Sequence, residues 1–397
     1  MKKEISVGSV IEVKIEKIVP GGYGLAFTEG HTAFVALAAP GDELRAKVAK
    51  VKGRTVFAEA EDILTPGPDR AEPPCPYFGS CGGCDLQQLG YAAQLRAKEA
   101  IIRDCIERIA KVRYEDEIRV IASPEPFGYR LRAQWHVDAA AQKLGYYRRD
   151  SRDLVEIEEC AVLQPELRGR LAEYRAEMPW QMFLNERSRI DAACGSDGTV
   201  STYSPDLPEA TDEITFDAAG EKYLFSARSF FQGNRFLIDK LIETAIGDAE
   251  GETALDLYCG VGLFTLPLAR RFENVIGVED NLEATAFAER NVRKAGLGNV
   301  IIHTESVRRF LVSGKAPKAG FVLLDPPRAG TEKETMLALL KLRPERVSYV
   351  ACEPSILARD LKRFVENGYK IDSLTAIDLF PQTHHIETVA HLSVNQA

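Results

Sequence analysis

The sequence predicts a multidomain α/β protein whose C-terminal half folds as a doubly wound parallel sheet. Five short apolar runs in that half are separated by helical patterns, which is typical of strands buried on both faces. The carboxyl ends of parallel strands share one edge of the sheet, where ligands bind. Asp256, Glu279, Asp325 and Cys352 are therefore expected to converge on one crevice. The runs are Ala254–Leu257, Val275–Val278, Val300–Ile302, Phe321–Leu324 and Val347–Ala351.

Length and composition set limits on the rest of the protein. The 397 residues are enough for two or three cores. No apolar run is long enough to span a membrane, and the first residues do not resemble a signal peptide, so a cytoplasmic protein without a membrane partner is expected. The net charge of −9 argues against capture of nucleic acid by the whole surface and leaves binding to a local basic patch. No feature predicts an obligate protein partner.

Residues 1 to about 62 alternate apolar and polar side chains between turns, which predicts a small five-stranded β-barrel. Five basic side chains fall in one hairpin of this barrel. They fit contacts with a phosphate backbone, and they fit a solvated edge hairpin equally well. These residues are Arg45, Lys47, Lys50, Lys52 and Arg54.

Three cysteines, Cys75, Cys81 and Cys84, lie within ten residues on a glycine-rich loop that follows a proline-rich linker. Close thiols in a chain expected to be cytoplasmic indicate a metal site rather than a disulfide framework. Cys160 is the best candidate for a fourth ligand. Four thiolates at uneven spacing favour an iron–sulfur cluster, with zinc as the alternative. The helical pattern after the loop, over about residues 86–110, predicts a long helix.

The segment from Phe127 to Arg152 interleaves aromatic and basic residues. Such a hairpin can stack bases and contact phosphates, although aromatic side chains in strands more often form core.

The run Asp256–Gly262, with the sequence DLYCGVG, predicts a strand followed by a glycine turn that approaches a bound nucleotide. A dinucleotide fingerprint requires a third glycine where this chain has Thr265, which argues against a pyrophosphate. Glu279 ends the next strand, where an acidic residue accepts both ribose hydroxyls. An adenosine ligand without a pyrophosphate fits, and S-adenosylmethionine is the commonest such cofactor. The alternative for Glu279 is that it only caps the helix near Asn281.

Cys352 is followed by Glu353-Pro354 and a helix to about Glu366, so its sulfur is expected near a helix N-terminus, where the thiol pKa is lowered. A buried cysteine that only fills space is the alternative. Near the C-terminus, Glu387 stands beside His384 and His385, where its carboxylate is suited to act as a general base.

The order of these motifs resembles the RNA uracil-5-methyltransferase family, in particular its iron–sulfur members with an N-terminal TRAM domain, such as the 23S ribosomal RNA enzymes. The resemblance covers essentially the whole chain. It rests on CPYFGSCGGC, the later Cys160, SFFQGN, DLYCGVG, DPPRAG, YVACEP and HHIE.

This resemblance implies three domains. They are a TRAM/OB-like RNA-binding β-barrel at 1–62, a central α+β iron–sulfur domain at 63–215, and a Rossmann-like class I methyltransferase domain at 216–397. The helix of about residues 86–110 is in a position to pack on the methyltransferase domain.

The resemblance also assigns roles to residues. Cys352 is the implied nucleophile and Glu387 the implied base. The implied S-adenosylmethionine contacts are Gln232, Tyr258, Gly260, Glu279 and Asp325, and the implied [4Fe-4S] ligands are Cys75, Cys81, Cys84 and Cys160. The chain departs from the family pattern at Glu353, Leu263 and Ser306, which bear on secondary cofactor contacts.

The implied reaction is S-adenosylmethionine-dependent methylation of uridine C5 in structured RNA, with 23S ribosomal RNA favoured over transfer RNA. Cys352 would add to C6 of the uracil, and Glu387 would remove the proton from C5. Two other classes of protein remain as alternatives. One is a nucleotide-dependent redox protein, and the other is a non-catalytic RNA-binding protein with an iron–sulfur centre.

Overall fold

The computed structural model describes residues 5–207 and 211–395. These residues form two compact units. The first contains the chain up to Asp104 together with Tyr146–Val155 and Phe380–His385. The second contains Cys105–Gly145, Glu156–Leu379 and the chain from Ile386 onward. The division into domains at 1–62, 63–215 and 216–397 remains a prediction.

The first unit begins with a six-stranded sheet in the order β1-β5-β6-β4-β3-β2. Its strands alternate, so that in β5 Leu44, Ala46 and Val48 point into the core while the charged residues between them face solvent. The strands are β1 Val10–Lys14, β2 Lys17–Val19, β3 Tyr23–Thr28, β4 His31–Ala36, β5 Glu43–Lys52 and β6 Thr55–Thr65.

The predicted number of five strands is wrong by one. The additional strand, β2, has only three residues, too few for an alternating pattern to be recognised in the sequence. On the basic hairpin β5–β6, Arg45 pairs with Glu12 at 3.0 Å and Lys47 with Glu61 at 3.9 Å. Lys50, Lys52 and Arg54 are exposed near its turn.

Helix α1 spans Tyr91–Cys105 and is continued by a π-helical turn, Ile106–Ala110. The prediction that the helix begins near residue 86 is wrong. Leu86 and Leu89 are buried, but they lie in a turn in which the Leu89 amide donates to the Leu86 carbonyl, and Gly90 separates that turn from the helix. An apolar pattern alone does not distinguish a buried turn from a first helical turn.

The second unit contains the strands β8, β11 and β12 of a five-stranded sheet in the order β10-β9-β8-β11-β12, and a hairpin β13–β14. Within the aromatic and basic segment, Trp135 and Tyr129 are 0 % and 2 % exposed, so they belong to the core. The elements are β7 Ile118–Ile121, β8 Arg132–Asp138, β9 Lys143–Tyr147, β10 Leu154–Glu156, α2 Pro165–Glu177, a 3₁₀ turn Trp180–Met182, β11 Arg187–Cys194, β12 Val200–Tyr203, β13 Glu213–Ala218 and β14 Glu221–Ser226.

The main feature of the second unit is an eight-stranded sheet in the order β17-β16-β15-β18-β19-β21-β20-β7. Strands β15 to β19 are parallel, and β21 is inserted antiparallel between β19 and β20. Its elements are α3 Ile238–Ile246, β15 Gly251–Leu257, α4 Thr265–Ala269, β16 Phe272–Glu279, α5 Leu282–Lys294, β17 Val300–Thr304, α6 Val307–Val312, β18 Phe321–Leu324, α7 Lys333–Leu342, β19 Arg346–Ala351, α8 Pro354–Glu366, β20 Tyr369–Ile377 and β21 Glu387–Val394.

The five predicted apolar runs all form strands of this sheet. The chain reverses its direction of winding between β15 and β18, which is where doubly wound sheets open a ligand crevice. The π-helical turn Ile106–Ala110 packs against α8. Among the described residues, no helix is both long and apolar enough to cross a membrane.

Candidate active site

The glycine turn after β15 is built from residues in left-handed backbone conformations. Tyr258, Gly260 and Gly262 have φ angles of 67°, 54° and 92°. The amides of Tyr258 and Cys259 donate to the Val278 carbonyl at 2.9 and 3.1 Å, which fixes the turn against β16. A side chain at Gly262 would crowd the Leu266 side chain at 3.2 Å, and the φ angle of 92° favours glycine here.

Glu279, the last residue of β16, joins this turn to the next loop. One carboxylate oxygen accepts the amide of Gly260 at 3.1 Å, and the other accepts the amides of Asp280 and Asn281 at 3.0 and 2.9 Å. Asn281, rather than Glu279, caps α5. The capping alternative for Glu279 is therefore wrong, and its carboxylate lies at the edge of the crevice.

Two further carboxyl groups lie at the same edge of the sheet: Asp256, near the end of β15, is fully buried, and Asp325, directly after β18, is half-buried. One oxygen of Asp256 accepts the Thr265 hydroxyl, while the other has no hydrogen-bond partner among the described residues. Gln232 donates to Asp325 at 3.3 Å. Burial, followed by the charge of Glu279, raises the pKa of Asp256 to about 7, and burial, followed by the charge of Asp256, raises the pKa of Asp325 to about 7. A cationic ligand would relieve this repulsion.

Cys352 and Glu387 lie at the ends of neighbouring antiparallel strands. Ala351, the last residue of β19, pairs with Thr388 in β21. The next positions in register are Cys352, which directly follows β19, and Glu387, the first residue of β21. The thiol and the carboxyl group, 35 positions apart in sequence (387 − 352), are thus brought together by the strand pairing.

Glu387 is 4 % exposed, and one of its oxygens has no partner within the described part of the chain. Burial raises the pKa of this carboxyl group well above its ordinary value; Asp325 raises it further and Arg328 opposes the shift. A carboxylate held in this way is a stronger base than an exposed one. Arg328, in the DPPRAG loop after β18, was not recognised as a site residue from the sequence, although its place after the Asp325-Pro326-Pro327 run was a usable signal.

The prediction of a lowered pKa for Cys352 is wrong. Cys352 does precede α8, but burial raises the pKa of its thiol to about 12, the Glu387 carboxylate adds to the increase, and the Arg328 guanidinium opposes it. The field of a helix terminus is smaller than the cost of burying a thiolate beside carboxylates.

A buried carboxylate on α8, Asp360, ties the two loops of the site together. It accepts the Thr331 amide at 3.0 Å and the Tyr349 hydroxyl at 2.7 Å, and it pairs with Arg359 and Arg363 at 2.9 and 3.2 Å. These contacts connect the end of the DPPRAG loop, the strand before Cys352 and the helix after it. Sequence reasoning missed this residue because its burial depends on tertiary packing.

The three departures from the family pattern have structural roles. Glu353 accepts the Ser355 amide and hydroxyl at 3.4 and 2.9 Å and caps α8. Ser306 caps α6 by accepting the Arg309 amide at 3.3 Å. Leu263 is buried, and its carbonyl accepts the Tyr223 hydroxyl at 2.9 Å.

Cys75, Cys81 and Cys84 lie on one tightly turned loop of the first unit, and each is partly exposed. The Gly83 amide donates to the Cys81 sulfur at 3.4 Å. A side chain at Gly82 would lie 3.0 Å from the Tyr147 carbonyl, so only glycine fits there. Cys160 is also partly exposed and belongs to the second unit, where its carbonyl accepts the Leu163 amide.

Comparisons with known proteins agree with this arrangement. The profile of the tRNA (uracil-5-)-methyltransferase family matches residues 210–395, and that of the TRAM domain matches residues 5–60. A protein of Aquifex aeolicus described as an uncharacterized RNA methyltransferase is 32% identical, with 97% of this chain and 98% of that protein aligned. The chain belongs to the RNA uracil-5-methyltransferase family.

Two further relatives have names that state an activity. The 23S rRNA (uracil(1939)-C(5))-methyltransferase RlmD of Pectobacterium atrosepticum is 30% identical over 96% of this chain and 93% of that protein. The crystal structure of a Pyrococcus abyssi tRNA (uracil-54, C5)-methyltransferase with S-adenosyl-L-homocysteine matches with a TM-score of 0.74 and 26% identity, covering 96% of this chain and all of that one. The large sheet with its helices is therefore a class I methyltransferase fold, preceded by a TRAM domain of strands.

Proposed function

We propose that this enzyme methylates C5 of a uridine in 23S ribosomal RNA, with Cys352 as nucleophile and Glu387 as base. The register that places the thiol and the buried carboxyl group side by side is the observation that carries the proposal. A thiol and a base on one side of a pocket are what addition to a pyrimidine and its reversal require. The redox alternative leaves this pair without a role, and so does the alternative of a protein that only binds RNA.

Five residues of the crevice would hold S-adenosylmethionine, which when bound supplies the methyl group. The glycine turn brings backbone close to the ligand, Glu279 suits the ribose hydroxyls, and the carboxyl groups of Asp256 and Asp325 suit its positive charge. The unpartnered oxygen of Asp256 supports a bound group in this crevice. The proposed contacts are Gln232, Tyr258, Gly260, Glu279 and Asp325.

Catalysis on the RNA would begin at Cys352. Its sulfur, as thiolate, adds to C6 of the uracil, and the electron pair of the C5–C6 double bond moves toward the C4 carbonyl, which makes C5 nucleophilic. After C5 is methylated, Glu387 takes the proton from C5. The double bond between C5 and C6 then re-forms, and the bond from C6 to sulfur breaks to return the thiolate. Arg328 is the group that favours the ionised form of Cys352.

The target uridine must leave its stack to reach this pair, in which Cys352 is half-buried and Glu387 is buried. Extrusion costs a few kcal/mol in a duplex and less in a loop, so a structured loop is the favoured substrate. Ribosomal RNA is favoured because the 23S rRNA enzymes align with this chain at 30% to 31% identity over nearly its full length. Transfer RNA is the second candidate because the transfer RNA enzyme of Pyrococcus abyssi shares the fold over 96% of the chain.

Cys75, Cys81, Cys84 and Cys160 would hold a [4Fe-4S] cluster. Soft thiolates are the ligands that such clusters take. Amides that donate hydrogen bonds to the ligand sulfurs shift the reduction potential of the cluster. The amide of Gly83 at the Cys81 sulfur and the glycine required at position 82 fit this use.

The cluster is tested by anaerobic purification, which should give an iron-containing protein with charge-transfer absorbance. Cys84→Ser should lose this absorbance, whereas Cys194→Ala, a change of a core cysteine, should keep it. Zinc without iron in the wild type would favour the alternative metal.

The substrate is tested by tritium release from RNA labelled at uridine C5. Release from 23S ribosomal RNA that requires S-adenosylmethionine and disappears in Cys352→Ala would support the proposal. Release from transfer RNA alone would establish the second candidate. Binding of both RNAs without release from either would overturn the assigned chemistry.

A further inference from the structure

The segment Phe380–His385, between β20 and β21, belongs to the first unit, although the strands on both sides of it belong to the second. It ends two positions before Glu387. The chain that leads into the proposed base is therefore held by contacts within the first unit, while Glu387 itself pairs with Ile377 of β20.

Gln382 is the centre of these contacts. Its backbone, with φ of 70°, presents its carbonyl to the amides of Asp85 and Leu86, each at 3.0 Å. The backbone amide of Gln382 donates to the side-chain oxygen of Gln94 at 3.0 Å. The side-chain oxygen of Gln382 in turn accepts the side-chain amide of Gln94 at 2.9 Å. Gln94 and Gln382 are 1 % and 4 % exposed, so the two hydrogen bonds between them are shielded from solvent. Removing one partner of a buried hydrogen bond leaves the other unsatisfied, which costs stability.

Two charged side chains hold the rest of the segment. Lys98, fully buried on α1, donates to the Phe380 carbonyl at 3.1 Å. His384 pairs with Asp85, the residue directly after Cys84. These anchors come from Asp85, Leu86 and α1, which continue the chain from the cysteine loop.

We infer that Gln94 and Gln382 are positioning residues for the C5-deprotonation step, which they serve by fixing the chain that leads into Glu387. This inference rests on the proposed function. Their anchoring acts on the chain before the base, whereas Cys352 follows β19, Asp325 follows β18 and Glu279 ends β16. Loss of the anchor should therefore slow proton removal and leave formation of the bond between Cys352 and C6 intact.

The chain offers a matched control in Gln88. This glutamine is also 1 % exposed and lies in the same unit, but its side chain donates to the Ala38 carbonyl of the barrel at 3.1 Å. Gln88→Leu and Gln94→Leu remove similar buried amides. Only the second removes a contact to the segment before Glu387.

The test incubates full-length enzyme with RNA and S-adenosylmethionine and separates covalent complexes on a denaturing gel. Gln94→Leu should accumulate a methylated covalent complex and lose turnover by about 10- to 100-fold, the cost of a base displaced by about 1 Å. Cofactor affinity should not change, and Gln88→Leu should accumulate no complex. If Gln94→Leu does not fold, Gln94→Glu replaces it, because it keeps the acceptor for the Gln382 amide and loses the donors to Gln382 and to the Leu89 carbonyl.

The Glu387→Gln variant distinguishes a failure of the positioning role of Gln94 from a failure of the proposed role of Glu387. A covalent complex in Glu387→Gln but none in folded Gln94 variants would overturn the positioning role and leave the proposed function in place. No complex in Glu387→Gln, with RNA that wild type methylates, would overturn the role of Glu387 itself. Equal accumulation in Gln88→Leu and Gln94→Leu would show a general loss of packing and would also overturn the inference.

Discussion

Cys352 and Glu387 occupy the positions that directly extend the Ala351–Thr388 pair of the antiparallel ladder between β19 and β21. A parallel neighbour would reach this edge of the sheet with its carboxyl end, whereas β21 brings its first residue there. The insertion of one antiparallel strand thus places a carboxyl group beside the thiol. This relation is the basis of the proposed chemistry.

Cys352→Ala should abolish turnover, by about 10⁴-fold or more, because it removes the thiol proposed to form the bond to C6. Cofactor binding, measured by calorimetry, should remain, since the glycine turn and Glu279 are untouched. Cys194→Ala, which changes a fully buried cysteine of β11, is the control and should retain turnover. Residual turnover of the Cys352 variant close to that of wild type would remove it as nucleophile.

Activity should rise with pH between about 6 and 9, because both groups act in their ionised forms. The pKa of the Cys352 thiol is raised to about 12 and that of Glu387 is raised well above its ordinary value. Raising the pH therefore increases the fraction of thiolate and of carboxylate together. The measurement is kcat/KM for RNA across this range, and a profile that falls from pH 6 would contradict these protonation states.

Asp256 should make the enzyme less stable at alkaline pH. Its folded pKa of about 7 lies above its ordinary value of 3.8, so its stabilising contribution is complete below about pH 4 and is lost as the pH rises through 7. The loss is at most about 4 kcal/mol in the free energy of unfolding. In urea unfolding experiments, the free energy of unfolding should fall less between pH 5 and pH 8 for Asp256→Asn than for wild type. The control is Asp62→Asn, an exposed change on β6, for which the free energy of unfolding should fall between the two pH values by as much as in wild type.

Asp360→Asn should destabilise the protein by about 3–5 kcal/mol, because it leaves buried partners without a counter-charge. Turnover should also fall, with RNA affinity largely kept, since the DPPRAG loop and the Cys352 segment lose their common anchor. The control is Asp248→Asn, whose ion pair with Arg346 is exposed and should be worth about 1 kcal/mol or less. Wild-type turnover at a lowered melting temperature would show that Asp360 serves stability alone.

The sequence predicted the parts of this fold that local patterns encode. Strands buried on both faces appear as apolar runs, so β15, β18 and β19 and the residues at their ends were found in the correct places. The partly buried β16 and β17 were found from their apolar runs as well. The three-residue β2 has no pattern to detect, and the turn at Leu86–Leu89 has the same apolar spacing as a helix.

Features that depend on distant contacts were beyond local patterns. The contact between Gln94 and Gln382 joins positions 288 apart, and neither residue is unusual in sequence. Asp360 is one of several charged residues on an amphipathic helix until the fold buries it. The raised pKa of Cys352 arises from burial beside Glu387 and Asp325, whereas the sequence showed only the adjoining helix.

The most direct test of the central claim is mass spectrometry of the covalent complex formed by Glu387→Gln with substrate RNA and S-adenosylmethionine. After nuclease and protease digestion, the account predicts a methylated uridine linked to the peptide that contains Cys352. It also predicts no such species for Cys352→Ala combined with Glu387→Gln. A uridine linked to another residue, or no linked uridine under conditions in which wild type methylates the RNA, would contradict the account.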